Sequence, residues 1–433
     1  MESIWQKSTR LPCFEPLSED ISLDVLVIGG GLCGLITLWK LQKRGISAAL
    51  IEADRICAHT SGHTTAKITS GHSLIYQKIA KKYGLSAARK YLMANEAALE
   101  EYRRLSKEID CDFEEKDNYI YSTNNLEAIE EEAAVLKRIG FPASVVRESE
   151  LPIKIAGAVK YPRQAQFNPL RFAKKIAEGA RIYEKTRALE IKDGRVITDR
   201  GTVRAKKIIV ATRFPILNRV GLFFMKMYQY RSYVIALDGG FELDGMYVDA
   251  EDGGFSFRSY KGTLLLGGGG HRTGDGSGGF SELREFGKRH FDAPITASFA
   301  TEDTITLDGI PYIGKYSKMT KNLYTATGFN KWGMTASMLA AEILCDEAEG
   351  KKNEFSAVFS PSRNMLSMKL ISNGAHTALG LVTPRVPRCS HLGCALKWNK
   401  EEHSWDCSCH GSRFSKDGEL LDGPANRGIF NEG

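Results

Sequence analysis

The chain has 433 residues, 42% of them apolar, which is enough for two or three cores of ordinary domain size. Its net charge is +7, but 59 basic residues are scattered among 52 acidic ones and form no arginine-rich arm or aromatic-interleaved patch, so a nucleic-acid partner is not expected. The long apolar run over 25–39 is broken by glycines and too short to cross a bilayer, so no integral membrane segment is expected either. The first residues, Met1-Glu-Ser-Ile-Trp5, lack the basic start and apolar core of a signal peptide, and Cys13, Cys33, Cys57, Cys111 and Cys345 are too dispersed for a secreted disulfide framework. A cytoplasmic location is the expectation.

In chain order, residues 1–20 read as an irregular lead-in, because Pro12 and Pro16 oppose regular structure. Asp24-Val-Leu-Val-Ile28 predicts a buried strand, Gly29-Gly-Gly31-Leu-Cys-Gly34 follows at once, and an apolar-periodic helix is predicted over 35–43. A second strand over 48–52 ends in Glu52, about 20 residues beyond the glycines. Strand, glycine turn, helix and acid together make a dinucleotide fingerprint. The glycines permit a tight turn and close pyrophosphate approach, the helix N-terminus faces the phosphates, and Glu52 takes the ribose hydroxyls. A second fingerprint for a nicotinamide nucleotide is absent, since Gly267–Gly270 runs into His271 and more glycines rather than a helix. Two other segments favour flavin. Ser61-Gly-His63-Thr64-Thr65-Ala-Lys67-Ile-Thr69 is small and polar, which lets backbone approach a planar ring. The turn from Gly328 to Thr335 enters a helix over 336–349, whose N-terminus can stabilise negative charge on a reduced flavin.

Between these segments, Leu85, Ala88, Leu92, Leu99, Tyr102, Leu105 and Ile109 recur at helical spacing and predict a long amphipathic helix, followed by another over 126–139 that stops at Gly140. Runs over 232–237, 255–260 and 263–267 predict strands of an antiparallel sheet roofing the flavin.

Near the C-terminus stand Cys389-Ser-His391-Leu-Gly-Cys394 and Cys407-Ser-Cys409-His410-Gly-Ser412. Two thiolates and two imidazoles could hold a tetrahedral zinc, but zinc fingers usually pair like with like along the chain. The order Cys389, His391, Cys407, His410 alternates, which suits a two-iron, two-sulfide (2Fe-2S) cluster with two thiolates on one iron and two imidazoles on the other. The stretch resembles a Rieske centre. That resemblance implies a disulfide between Cys394 and Cys409, a covering loop at Gly423-Pro424-Ala425, and donation from Ser412 to a bridging sulfide. It also implies a tyrosine donor at the position held here by Phe414. Losing that donor disfavours the more negative, reduced cluster, so the potential should fall low in a range of about −150 to +300 mV.

The fingerprint, the Gly-His-Thr-Thr-Ala-Lys segment, Tyr161-Pro-Arg-Gln-Ala-Gln-Phe-Asn-Pro169, Ile208-Ile-Val-Ala-Thr212, Asp308-Gly-Ile-Pro-Tyr-Ile-Gly314 and the 328–335 turn resemble the D-amino-acid oxidase and glycine oxidase superfamily, in its branch with a C-terminal Rieske domain. The resemblance implies an α/β fold: a Rossmann-like FAD-binding domain (20–84, 150–220 and 300–361) interleaved with an antiparallel-sheet substrate domain (85–149 and 221–299), then an abbreviated all-β Rieske domain (362–433). Carried over by position, Gly29, Gly31, Gly34 and Glu52 bind the ADP half of FAD and the backbone at Ala188 its adenine. Thr64, Thr65 and Lys67 run beside the isoalloxazine, and Gly328, Gly333, Met334 and Thr335 close over its far edge. Amino-acid-oxidising relatives clamp the substrate carboxylate with an arginine where this chain has Asp303, and sarcosine-oxidising relatives carry a lysine where it has Thr335. A carboxylate cannot clamp a carboxylate, so an uncharged or cationic substrate, possibly an amine, is expected. Candidate catalytic residues are Lys67, Arg258, Tyr260 and His271, with Arg272 beside them. The implied function is a dehydrogenase passing a hydride from a small molecule to flavin and electrons singly through the cluster to an external carrier. The alternative is an electron-transfer or redox-sensing module without an organic substrate. A Rieske oxygenase would need a further mononuclear-iron domain after the cluster.

Overall fold

The computed structural model describes residues 2–217, 220–275, 278–364, 373, 383, 386–425 and 427–429. Between 365 and 385, just after the expected boundary at 362, residues 373 and 383 alone are among the described residues.

An eight-stranded sheet carries the fingerprint. Its spine is parallel, running Leu323–Thr327, Thr202–Val210, Ile21–Ile28, Ala48–Ile51 and Ile182–Tyr183, with Tyr312–Lys315 antiparallel at one edge. These strands are continuous β-branched and leucine runs because both faces are covered. Leu26, Val27, Leu50, Ile51, Ile209 and Val210 are wholly buried, each contributing about 1.5–3 kcal/mol. The helices Leu32–Lys43 and Gly333–Glu349 pack together on one face, Cys345 Sγ reaching Thr37 O at 3.7 Å. Arg44, at the end of the first, bonds Glu342, Asp346 and Glu349 along the second. Gly34 is obligatory at this corner: a Cβ there would lie 1.9 Å from Gly29 O, so any side chain would lift the helix off the strand.

A nine-stranded sheet faces the first. Its order is Ile295–Thr306, Met227–Asp238, Thr263–Arg272, Ser256–Tyr260, Gly245–Asp249, Glu114–Ser122, Gly157–Gln166 and Lys67–Ile68, with Ser144–Val146 also pairing with Gly157–Gln166. It departs from the expected antiparallel roof at one place, where Gly245–Asp249 pairs parallel with Glu114–Ser122. Residues 157–166 and 67–68, expected with the nucleotide-binding segments, also pair here. His271 and Arg272 are on the strand Thr263–Arg272. The predicted amphipathic helices run Leu85–Leu105, ending before Ile109, and Leu126–Arg138.

The lead-in is not irregular throughout. Ile4–Ser8 is a helical turn closed by a capping box, Gln6 N donating to Ser3 Oγ and Ser3 N to Gln6 Oε1. The signal is Ser3-Ile-Trp-Gln6, ahead of both prolines. Trp5 is fully buried and its indole donates to Thr64 O at 2.7 Å, so this turn holds the segment expected beside the flavin.

A third, four-stranded antiparallel sheet, Leu396–Asn399, Ser404–Cys407, Arg413–Phe414 and Leu420–Asp422, forms the C-terminal part. Among the described residues no helix is long and apolar enough to cross a membrane.

Candidate active site and metal centre

The C-terminal ends of the parallel strands, where open α/β sheets bind ligands, open onto a cavity of about 780 Å³ walled on the other side by the nine-stranded sheet. Gly29, Gly31, Glu52 and Ala188 line one end; Thr64, Thr65, Lys67, Gly328, Gly333 and Met334 line it further along. Gly34 and Thr335, also expected at the cofactor, do not line it. The two helices that begin here have Gly31 and Trp332 at their N-caps, neither of which offers a side-chain cap, so first-turn N–H groups remain for a ligand. One of them, Leu32 N, is taken by Ser61 Oγ at 2.9 Å. The Glu52 carboxylate accepts from Gly30 N (2.6 Å) and Asp54 N (2.8 Å), which fixes it at the mouth of the glycine turn, and burial raises its pKa. Two uncapped helix starts and an anchored acid in one cavity fit FAD.

The candidate catalytic residues separate. Lys67 lines the cavity, and its ammonium has only Thr65 Oγ1, at 3.5 Å, among the described side chains. Burial, helped by the charge of Arg258, pushes its pKa down to about 7. Arg258 does not line the cavity. Its guanidinium is consumed by the carbonyls of Thr65, Ala66 (2.9 Å) and Phe167 (2.9 Å) and stacks over Trp5, so it buckles the 64–67 segment in place. Tyr260 is turned away, donating to Asp112 at 2.6 Å. His271 is held by the Tyr233 hydroxyl at 3.0 Å and Arg272 O at 2.9 Å, and Arg272 itself bonds Asn373 at 2.7 Å. Arg258 and Tyr260 reach the cavity only through what they hold, because the Arg258 terminal nitrogens and the Tyr260 hydroxyl are bonded elsewhere.

Two residues gain importance that sequence reasoning did not give them. His72 lines the cavity, accepts from Tyr91 Oη (2.7 Å) and donates to Thr69 O (2.7 Å), with Thr335 Oγ1 at 3.2 Å and Trp332 stacked on its ring. Burial drives its pKa down to about 3, so it is neutral at pH 7. Lys331 lines the cavity beside Asp303, which it helps to keep ionised against a burial that raises the Asp303 pKa. Asp303 also accepts from Ser232 Oγ at 3.2 Å. The signal for His72 was its place just after the strand Lys67–Ile68; nothing local marks Lys331.

At the other centre, each ligand loop is a closed turn. Cys389 N donates to Cys394 O and Gly393 N to Cys389 O, both at 2.9 Å; Cys407 N donates to Ser412 O (2.9 Å) and Gly411 N to Cys407 O (3.0 Å). The Cys389 and Cys407 thiols are neighbours, with the Ser412 hydroxyl beside Cys389. The rings of His391 and His410 lie 4.9 Å apart, and all four of their nitrogens are buried without a hydrogen-bond partner. Orphaned buried imidazoles are costly unless they ligate, and burial keeps both neutral, at pKa values of about 3 and about 4, as ligation requires. Paired thiols and orphaned imidazoles fit a 2Fe-2S cluster. Cys394, Cys407 and Cys409 also gather, with sulfurs within 4.8 Å of one another. The expected disulfide between Cys394 and Cys409 is not formed: all nine cysteines are free thiols here, and a bridge would need the two sulfurs at about 2 Å.

Comparison with known proteins agrees with both centres. Residues 24–347 match the DAO family, described as FAD dependent oxidoreductase, and residues 384–431 match the Rieske 2Fe-2S domain. A Bacillus subtilis protein named as a Rieske 2Fe-2S iron-sulfur protein, YhfW, is 34% identical over 98% of this chain and 96% of its own. The gamma-glutamylputrescine oxidoreductase of Escherichia coli is 28% identical over 46% of this chain and 50% of its own. Glycine oxidase from Geobacillus kaustophilus shares the fold, with a TM-score of 0.65 and 22% identity over 80% of this chain and 100% of its own. The chain therefore belongs to the DAO family of FAD-dependent oxidoreductases and carries a C-terminal Rieske domain, with FAD and a 2Fe-2S cluster as its cofactors.

Proposed function

We propose that this oxidoreductase is a dehydrogenase that oxidises a small organic amine and delivers the electrons one at a time, through its own cluster, to an external carrier. The observation that carries the reading is a shared wall: Gly423 and Pro424 of the cluster-covering loop line the same cavity as Thr64, Lys67 and Gly333. A centre built only for exchange with oxygen has no need of that arrangement. Bound FAD supplies two-electron hydride acceptance and the cluster one-electron transfer.

The chain's own residues do the rest. Asp303, on the cavity wall where relatives place a carboxylate-binding arginine, pairs with the ammonium of an amine and accepts its proton as oxidation proceeds. Lys331 offsets part of the burial that raises the Asp303 pKa, which favours the ionised form needed for that task. Lys67 places a cation beside the flavin segment, where negative charge develops on reduction. His72, locked neutral, holds Thr69 and Thr335 together and so fixes the relation between that segment and the helix Gly333–Glu349. The name of the Escherichia coli relative supports an amine. A cytoplasmic location belongs to the same reading.

The test is an anaerobic screen in which amines, amino acids and alcohols are added to the holoenzyme while flavin bleaching is followed optically and the cluster by paramagnetic resonance. An amine that bleaches the flavin and then reduces the cluster is the expected result. Bleaching by simple D-amino acids would overturn the substrate class, and bleaching by nothing would favour a module that only relays electrons.

A further inference from the structure

Of the two imidazole ligands, His410 is packed against the flavin-binding part of the chain. Its ring stands edge-on to Phe214 at 5.3 Å between centroids, with Phe224 at 6.1 Å. For His391 the ring contact among the described residues is His410 itself. Phe214 is buried and lines the flavin cavity, four residues beyond the end of the fingerprint-bearing sheet's strand Thr202–Val210. The segment that carries it is pinned: Thr212 Oγ1 donates to Phe214 O at 2.8 Å, and Thr304 and Thr327 both donate to Arg213 O, at 3.2 and 2.6 Å. Phe214 thus touches the cavity on one side and a cluster ligand on the other.

The loop bearing His410 is pressed close. At Gly411 a Cβ would lie 2.6 Å from both Gln229 Cγ and Glu302 Oε2, so only glycine lets the loop lie flat on the strands Met227–Asp238 and Ile295–Thr306. Ion pairs seal the rim. Arg213 bonds Asp422 at 2.6 Å and Glu302 at 2.8 Å, and Arg231 and Arg413 share Glu402. The contact is buried and closely packed, which is what a fixed electron path needs, because transfer through protein weakens steeply with every added gap.

We infer that Phe214 is the positioning residue of an electron crossing, setting the separation between the flavin cavity and the His410-bearing iron, so that electrons enter the cluster on its imidazole side. This rests on the proposed transfer from cavity to cluster. Oxidation of an ammonium substrate to its iminium releases two electrons and two protons, one proton by way of Asp303 and one from the hydride. Each electron reduces one ferric iron to ferrous and passes to a one-electron acceptor before the next arrives, while both protons go to solvent.

The test uses the intact holoenzyme and needs no substrate. Bound flavin is photoreduced anaerobically with EDTA as donor, and cluster reduction is timed by its visible absorbance and rapid-freeze resonance signal in Phe214→Leu, Phe214→Val and Phe214→Ala. Cluster filling should slow as bulk is lost, on the order of tenfold in the alanine variant, with Phe214→Leu near the parent rate and the potentials and spectra of both centres unchanged. Equal rates across the series, or a rate that follows a shifted potential rather than lost bulk, would overturn the crossing. If the parent's photoreduced flavin never fills the cluster, it is the proposed function that fails instead.

Discussion

The Lys67 ammonium sits in the wall of the flavin cavity with little to stabilise it. Lys67 is charged below about pH 7 and neutral above, because burial and the charge of Arg258 both penalise its protonated form. Its positive charge favours reduced flavin, so the flavin potential should fall additionally as pH rises through about 7. In Lys67→Met that inflection should vanish, and at pH 6 the potential should drop by some tens of millivolts, at about 30 mV per 1.4 kcal/mol for a two-electron couple. Spectroelectrochemical titration of the holoenzyme checks it. At the cluster, Phe414 is buried where related centres place a hydroxyl donor, and Ser412 is next to Cys389. Phe414→Tyr should raise the cluster potential and Ser412→Ala lower it, since each hydrogen bond to sulfur favours the more negative state; protein-film voltammetry reads both. The cluster ligands were legible because their spacing is itself the chemistry. The satisfaction of Arg258 was not, because carbonyls from Thr65, Ala66 and Phe167 converge only after folding.

The segment from Lys67 to His72 joins the strand Lys67–Ile68 to the helices on either side of it. His72 is its rivet, bonded to Tyr91 on one long helix and next to Thr335 on another. With a folded pKa of about 3 against an unfolded value near 6.5, the unfolded chain binds the extra proton between those limits. Stability from this group is therefore full above about pH 6.5 and is lost as pH falls toward 3, on the order of 1.4 kcal/mol for each unit. Thermal melting of the holoenzyme should show this acid slope, accompanied by flavin release, and His72→Gln should flatten it. The elements themselves follow their local signals. Apolar runs bounded by glycines gave strands, and three-and-four spacing gave the helix Leu85–Leu105. Residues 157–166 went to the second sheet because pairing partners, rather than local pattern, choose between sheets.

The whole molecule is held by a junction in which charge is buried. Arg231 grips Glu402 in the cluster-bearing part with two hydrogen bonds, and the charges of Arg231 and Arg413 outweigh burial to hold Glu402 below the usual carboxylate range. Removing Arg231 leaves the buried Glu402 with Arg413 alone, so Arg231→Met should cost up to about 3 kcal/mol and raise hydrogen exchange in 396–422. Arg231→Met with Glu402→Met should recover part of that loss, since a well-packed apolar pair replaces the ions. Double-mutant denaturation with exchange mass spectrometry tests both.

By itself the sequence determined which cofactors the chain holds. Glycine spacing, an acid at the strand end and alternating Cys and His are local requirements of pyrophosphate, ribose and iron, written within a few residues of where they act. Only the tertiary structure decided how the two centres meet. Phe214 and His410 are far apart in the chain, and their contact depends on three sheets closing around Arg213, Arg231 and Glu302, a condition that no window of sequence contains.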